Sequence, residues 1–362
     1  MVTPRYLPYM GGIETHTREV AKRLVARGQH VTVLTSDPSR QLPETEDVEG
    51  VRIVRVPAWP RQSDLHFAPG MFSTITRGDW DVMHVQGYHT LVPPIAMLAA
   101  QRAHLPFVVT FHGGGHSSRV RNAIRGSQRR ILAPLFKRAA RLIALAEFEL
   151  DLFGDELGIP RERFTLIPNG CDLPQHSAPG SDLASGPLIA SVGRLERYKG
   201  HQRILAAMPH IRAEYPAARL WIAGSGPHEA ALRTQAAQLG LTDCVEIRAV
   251  PPHDRQAMAN ELSRAALVVL LSEYETHPIA IFEALALGRP ALVADTSGLS
   301  EIARRGLARS VALNSSPETV ARAVGEQLRE PLLPGDVSLP TWDDCVTALH
   351  AMYEGVAIAT RA

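Results

Sequence analysis

Ser272-Glu273-Tyr274-Glu275-Thr276-His277-Pro278-Ile279-Ala280-Ile281-Phe282-Glu283-Ala284-Leu285-Ala286-Leu287-Gly288 is the stretch that decides the fold. The apolar run before it, Ala266-Leu267-Val268-Val269-Leu270-Leu271, reads as a buried strand. Pro278 suits the first turn of a helix, with Thr276 or His277 as its cap. Gly288 and Pro290 end that helix. Two carboxylates, Glu275 and Glu283, fall eight positions apart around this junction. The first lies in the strand-to-helix loop and the second in the helix's second turn. Such a junction is where a doubly wound α/β sheet binds its ligand. The helix N-terminus attracts phosphate, and carboxylates beside it are placed to hold sugar hydroxyls.

Outward from this junction the same rhythm fills the chain. Strands are predicted at 30–35, 51–56, 81–85, 106–110, 141–144 and 164–167 in the first half. In the second half they are predicted at 188–192, 219–223, 245–247, 267–271 and 291–294. Amphipathic segments separate them: Ile13, Thr17, Val20 and Leu24 recur at helical spacing before Gly28. This alternation implies two mostly parallel sheets covered by helices, an α/β protein. Residues 1–172 form the expected first domain, 173–187 a Pro/Ser/Gly-rich linker, 188–340 the second domain and 341–362 a terminal helix. Only Met1-Val2-Thr3 stand where a first strand is needed, so further residues are expected upstream.

Composition narrows the function classes. Hydrophobic residues make up 45% and charged residues 21% of 362 residues, as in a soluble globular protein. A formal net charge of +1 gives no basis for wholesale nucleic-acid binding. Cys171, Cys244 and Cys345 lack metal-ligand spacing and suit a reducing compartment, so a cytoplasmic location is expected. Of the 38 basic residues only Lys22, Lys137 and Lys199 are lysines. A lysine in so arginine-rich a chain points to a specific role.

Lys199 belongs to Ser191-Val192-Gly193-Arg194-Leu195-Glu196-Arg197-Tyr198-Lys199-Gly200, which follows a buried strand. Gly193 allows close backbone approach, and Arg194 with Lys199 suits a diphosphate. A solvated basic loop is the plainer alternative. Gly11-Gly12 opens a helix whose backbone N–H groups could meet phosphate or sugar, although a structural turn explains them equally well. His112 ends a strand before Gly113-Gly114-Gly115, and His89 and His116 are loop candidates for acceptor contact. His84, inside a strand, reads as buried structure. Ala223-Gly224-Ser225-Gly226-Pro227 falls short of a dinucleotide fingerprint and reads as a tight turn near a nucleotide. Asp79-Trp80-Asp81 precedes its strand, at the end opposite the ligand, so no metal role is expected. The interval 119–141 carries eight basic residues and no acid, which suits an anionic membrane surface or a solvated helix face.

Together, Gly11-Gly12-Ile13-Glu14, Thr110-Phe111-His112-Gly113, Ile167-Pro168-Asn169-Gly170, Val192-Gly193-Arg194-Leu195 with Lys199-Gly200, Ala223-Gly224-Ser225-Gly226-Pro227, and Glu275 with Glu283 resemble the group 1, glycogen-synthase-like family of retaining glycosyltransferases with the GT-B fold. The resemblance covers nearly the whole chain. It implies two Rossmann-like domains facing each other across a cleft, with the last helix crossing back to the first domain. It implies a metal-independent hexosyltransferase that needs no cofactor, because the nucleotide sugar is a substrate. A UDP-sugar is favoured over GDP-mannose, and the sugar goes to a saccharide, lipid-linked or small-molecule acceptor.

By the same resemblance Arg194 and Lys199 neutralise the donor's diphosphate and Glu283 holds the ribose. Glu275 and His112 contact the transferred sugar. Gly11, Gly12, Gly193, Gly224, His277 and Ile279 complete the donor site, and Tyr88, His89 and His116 face the acceptor. Retention in this family needs no carboxylate nucleophile, and Glu275 is not given that role. The chain departs from the family at Glu275-Thr276-His277-Pro278, where the family commonly has Glu-Gly-Phe-Gly. Pro278 removes one backbone donor. A nucleotide-sugar epimerase of the same fold and a catalytically silent nucleotide-sugar-binding protein are the alternatives.

Overall fold

The computed structural model describes residues 1–9, 11–61, 65–113, 119–174, 186–251, 254–333, 335 and 338–361. The chain divides into two compact units. One comprises Met1–Gly113, Ala123–Gly170 and Pro340–Ala362, the other Gly114–Asn122 and Cys171–Leu339.

The first unit is built on eight strands: β1 (Val2–Thr3), β2 (Thr32–Asp37), β3 (Thr45–Val48), β4 (Val51–Pro57), β5 (Met83–Gln86), β6 (Phe107–Thr110), β7 (Arg141–Ala144) and β8 (Phe164–Leu166). Their order is β3-β4-β2-β1-β5-β6-β7-β8, parallel except for β3. The helices are α1 (Gly12–Ala26), α2 (Gly70–Arg77), α3 (Val92–Arg102), α4 (Arg119–Phe136) and α5 (Glu147–Leu157). Strands β5 and β6 are buried at every position, as both-sided helix cover demands.

In the second unit β9 (Leu188–Val192), β10 (Arg219–Ala223), β11 (Val245–Ile247), β12 (Leu267–Leu270), β13 (Ala291–Ala294) and β14 (Arg309–Val311) follow the order β11-β10-β9-β12-β13-β14, all parallel. They are covered by α6 (His201–Glu214), α7 (Glu229–Gln238), α8 (Arg255–Ser263), α9 (Ile279–Ala286), α10 (Ser297–Arg304) and α11 (Pro317–Arg329). The last helix, α12 (Trp342–Arg361), packs on α1 in the first unit. Its Trp342 backbone lies so close to Gly170 that a Cβ there would come within 2.2 Å of the Trp342 nitrogen.

Three sequence expectations are revised. Pro278 sits before the helix in extended backbone (φ −73°, ψ 101°), and α9 starts at Ile279; neither Thr276 nor His277 caps it. The missing N–H of Pro278 thus falls at the position that precedes the helix. Strands β3 and β14 were not expected. The first is an acidic edge strand, Thr45-Glu46-Asp47-Val48, without a buried position, and the second has three residues. Neither offers an apolar run to read.

Candidate active site

Sheet order reverses between β9 and β12, which are neighbours although two strands separate them in sequence. The loops leaving their C-terminal ends therefore flank the topological switch point. One carries Gly193, Arg194 and Lys199, the other Ser272 to Pro278. A side-chain pair joins them: Lys199 Nζ lies 2.6 Å from Glu275 Oε1. Ser272 Oγ donates to the same oxygen at 2.7 Å. The Glu275 N–H donates to Ser297 Oγ at 2.9 Å, and its carbonyl accepts from the Gly298 N–H at 2.9 Å. Both the backbone and the carboxylate of Glu275 are thus held. Burial works against the Lys199 charge, but the Glu275 carboxylate outweighs it and the ammonium's pKa is raised.

Two glycines allow this approach. At Gly200 (φ +79°) a Cβ would meet the Leu271 carbonyl oxygen at 1.9 Å, so only glycine brings the Lys199 turn against the end of β12. At Gly224 a Cβ would meet the Gly193 carbonyl oxygen at 2.0 Å, so the turn after β10 presses on the Gly193 loop. Beneath that loop lies His201, fully buried. Its Nε2 is 3.2 Å from the Arg194 carbonyl, which can only accept, so this nitrogen carries the proton. Nδ1 receives the Ser191 hydroxyl at 2.8 Å. Burial lowers the His201 pKa to about 4, so the ring is neutral at pH 7. Arg194 itself is exposed, with Nη2 3.4 Å from the Tyr198 hydroxyl.

Glu283 is buried in the second turn of α9 and is ion-paired to Arg255 Nη2, at the first residue of α8. The start of α8 is fixed by Asp254, whose Oδ1 accepts the Ala257 N–H at 2.8 Å. The ring of His277 stacks on Phe282 at 3.9 Å and 2°. Ile279 opens α9.

In the first unit the order reverses between β1 and β5. Gly11 is the extended N-cap of α1, with no side-chain cap, and a Cβ on Gly12 would meet nothing within 4 Å among the described residues. His112 follows β6 in left-handed backbone, φ +45°. Its Nε2 lies 2.6 Å from Gln86 Oε1 on β5. Its carbonyl accepts from His89 Nε2 at 3.0 Å. The next N–H, of Gly113, donates to Glu149 Oε1 at 3.1 Å, and Glu149 Oε2 accepts from the Leu145 N–H at 2.9 Å. The ring of His16 stands edge-on to His112, centroids 4.8 Å apart, and its Nδ1 meets Asn169 Oδ1 at 2.8 Å. Burial holds the His112 pKa well below the usual histidine range, and burial sets that of His16 at about 4.

The acceptor-side expectations fare differently. Tyr88 is 1% exposed and sits among Phe111, Phe136 and Phe153, its hydroxyl taking a hydrogen bond from Arg129. This corrects its assignment to the acceptor; a ring in the aromatic core cannot meet one. His89 turns its Nε2 to the His112 backbone. His116 lies outside the described residues. His84 is buried in β5, bonded to Thr110 and Tyr353. Within 119–141, Arg129 is paired to Glu156, whereas Arg130, Lys137, Arg138 and Arg141 are exposed, as is Ile131 at 76%. Sequence reasoning missed Gln86, Glu149, His201, Arg255 and Ser297. Gln86, Glu149, Arg255 and Ser297 each act on a motif from another element, whereas His201 directly follows the Lys199-Gly200 motif that it supports.

Among the described residues no group of three or more His, Cys, Asp or Glu side chains is placed to hold a metal ion, and no helix is long and apolar enough to cross a membrane.

Residues 11–170 match the glycosyl transferase 4-like domain, and residues 181–337 match the glycosyl transferases group 1 domain. Glycogen synthase of Mycobacterium tuberculosis is 28% identical over 351 residues, covering 89% of this chain and 83% of the relative. Among solved structures, sucrose-phosphate synthase from Thermosynechococcus elongatus aligns with a TM-score of 0.79 at 18% identity, over 99% of this chain and 98% of that one. HepE of Anabaena, in complex with UDP and glucose, aligns with a TM-score of 0.70 at 18% identity, over 99% and 96%. Two parallel-sheet units, each with its polar cluster at the switch point, and two glycosyltransferase domain matches that together span most of the sequence lead to one assignment: the chain belongs to the group 1 glycosyltransferases and has their GT-B fold.

Proposed function

We propose that the protein transfers a hexose or N-acetylhexosamine from a nucleoside diphosphate sugar, a UDP-sugar in preference to GDP-mannose, to a saccharide, lipid-linked or small-molecule hydroxyl. The transfer retains anomeric configuration and needs no metal. The observation that carries this reading is the Lys199–Glu275 pair across the switch-point loops, with Arg194 on the same loop as Lys199. Negative charge grows on the leaving diphosphate as the glycosidic bond breaks, and fixed cations stabilise it there. Arg194 and Lys199 supply those cations. Glu275 accepts from hydroxyls of the sugar, and His112 contacts the same sugar. Glu283 takes the ribose hydroxyls, exchanging its bond to Arg255 for them or sharing it. The HepE complex with UDP and glucose supports the choice of a UDP-sugar donor.

The test is nucleoside diphosphate release from UDP-glucose, UDP-N-acetylglucosamine and GDP-mannose, with and without candidate acceptors. Transfer from a UDP-sugar with retained configuration, undiminished by chelator, agrees with the proposal. Epimerised donor without transfer to any acceptor would identify the isomerase instead. Peripheral contact with anionic membrane through 119–141 is part of the same reading, supported by the exposed Ile131 among Arg130, Lys137 and Arg138. Equal sedimentation with anionic and neutral vesicles would remove it.

A further inference from the structure

The buried hydrogen bond between Gln86 and His112 carries a consequence for the chemistry of the group that His112 recognises. Gln86 ends β5 in register with Thr110, two residues before His112, and is fully buried. Its Oε1 faces His112 Nε2 at 2.6 Å. A carboxamide oxygen only accepts, so Nε2 carries a proton. The ring is buried and neutral, which leaves it a single proton. Nδ1 is therefore the nitrogen with the lone pair.

The surroundings keep this arrangement in place. Left-handed backbone is uncommon at a histidine and persists here because His89 and Glu149 hold the two polar groups of the His112–Gly113 peptide, its carbonyl and its N–H. Of the nearby imidazoles, His16 donates a hydrogen bond from Nδ1 to Asn169 Oδ1, and His89 donates one from Nε2 to the His112 carbonyl.

We infer that Gln86 is a positioning residue that sets the tautomer of His112, so that Nδ1 acts as a hydrogen-bond acceptor for a hydroxyl of the transferred sugar. A neutral imidazole presenting a lone pair takes a hydrogen bond from a hydroxyl. It gives none to a phosphate oxygen, so His112 reads the sugar and not the diphosphate. This rests on the reading that His112 meets the donor's sugar.

Two measurements test it. Long-range proton–nitrogen correlation on the wild-type protein with labelled histidine, assigned with His112→Asn, is expected to place the proton of residue 112 on Nε2. A proton on Nδ1 overturns the proposal. Gln86→Leu is expected to mix the tautomers and lower kcat for nucleoside diphosphate release about tenfold or more while KM changes less. Gln86→Glu, which keeps an accepting oxygen, is expected to restore the tautomer. In a series of UDP-deoxyglucoses, the donor lacking the hydroxyl that His112 receives is expected to show no further loss in Gln86→Leu. Wild-type tautomer and wild-type kcat in Gln86→Leu also overturn the proposal. Wild-type turnover in His112→Ala would instead remove the underlying sugar contact, leaving the tautomer result to decide on Gln86.

Discussion

The ammonium of Lys199 and the carboxylate of Glu275 meet at 2.6 Å, although 76 residues separate them, and they tie the loop after β9 to the loop after β12. Such a pair contributes little net stability, because both charges lose water to form it. Its value is position. The carboxylate keeps the ammonium charged, and the contact holds both side chains in place before any ligand arrives. Lys199→Ala is expected to lower kcat about a hundredfold, roughly 3 kcal/mol of charge-assisted contact. Lys199→Arg recovers little, since a planar fork does not replace a point charge. Steady-state kinetics on both variants check this, and near-normal turnover in Lys199→Ala would remove Lys199 from the donor site.

Glu283 and Arg255 make a second, partly buried pairing with a different readout. Glu283→Ala is expected to cost about a hundredfold in activity. On the proposed contact with the ribose, Glu283→Ala should weaken UDP binding while leaving 2′,3′-dideoxy-UDP binding nearly unchanged. Calorimetric titration of the two nucleotides makes the comparison. Equal weakening of both would place Glu283 elsewhere.

The buried histidines make acid stability a direct test of the packing. His16 and His201 have folded pKa values of about 4 against an ordinary 6.5, caused by burial. Between those values the unfolded chain binds more protons than the folded one, so stability is lost as pH falls from 6.5 towards 4. At pH 5, relative to pH 7, each histidine should cost roughly 2 kcal/mol. Urea unfolding at the two pH values measures the total, and His201→Gln should make the dependence shallower. A variant as acid-sensitive as the wild type would show that His201 does not contribute.

Gly224→Ala is expected to disrupt the donor loop because the new Cβ would lie 2.0 Å from the Gly193 carbonyl oxygen, a backbone atom with no rotamer to change. Overpacking of this kind costs about 1–3 kcal/mol, and the displaced Gly193-Arg194 segment should lose UDP affinity as well. A thermal melt and a UDP titration matching the wild type would refute the close approach.

How much of this was legible in the sequence depends on how local each signal is. Strands β7, β9, β10, β11 and β13 keep the boundaries that their apolar runs suggest. The two switch-point loops stand out in the sequence because a strand, a glycine and charged residues occur together within ten positions. The Gly11-Gly12 turn was visible for the same reason. Glu149 was not, because its partners Gly113 and Leu145 come from the ends of two other segments and its own helix looks ordinary. Gln86 reads in sequence as the polar end of a strand. Tyr88 misled because an aromatic in a loop motif suggests a ligand, whereas tertiary packing put it in the core.

The return of α12 to the first unit reverses the usual relation between synthesis and completion. A ribosome making this chain releases every strand of the first sheet before it begins the second, yet the helix that packs on α1 and lies against Gly170 emerges only after both sheets. The early sheet must wait, with its α1 face uncovered, while the later unit is made. Of the two units, the one begun first is therefore the one completed second.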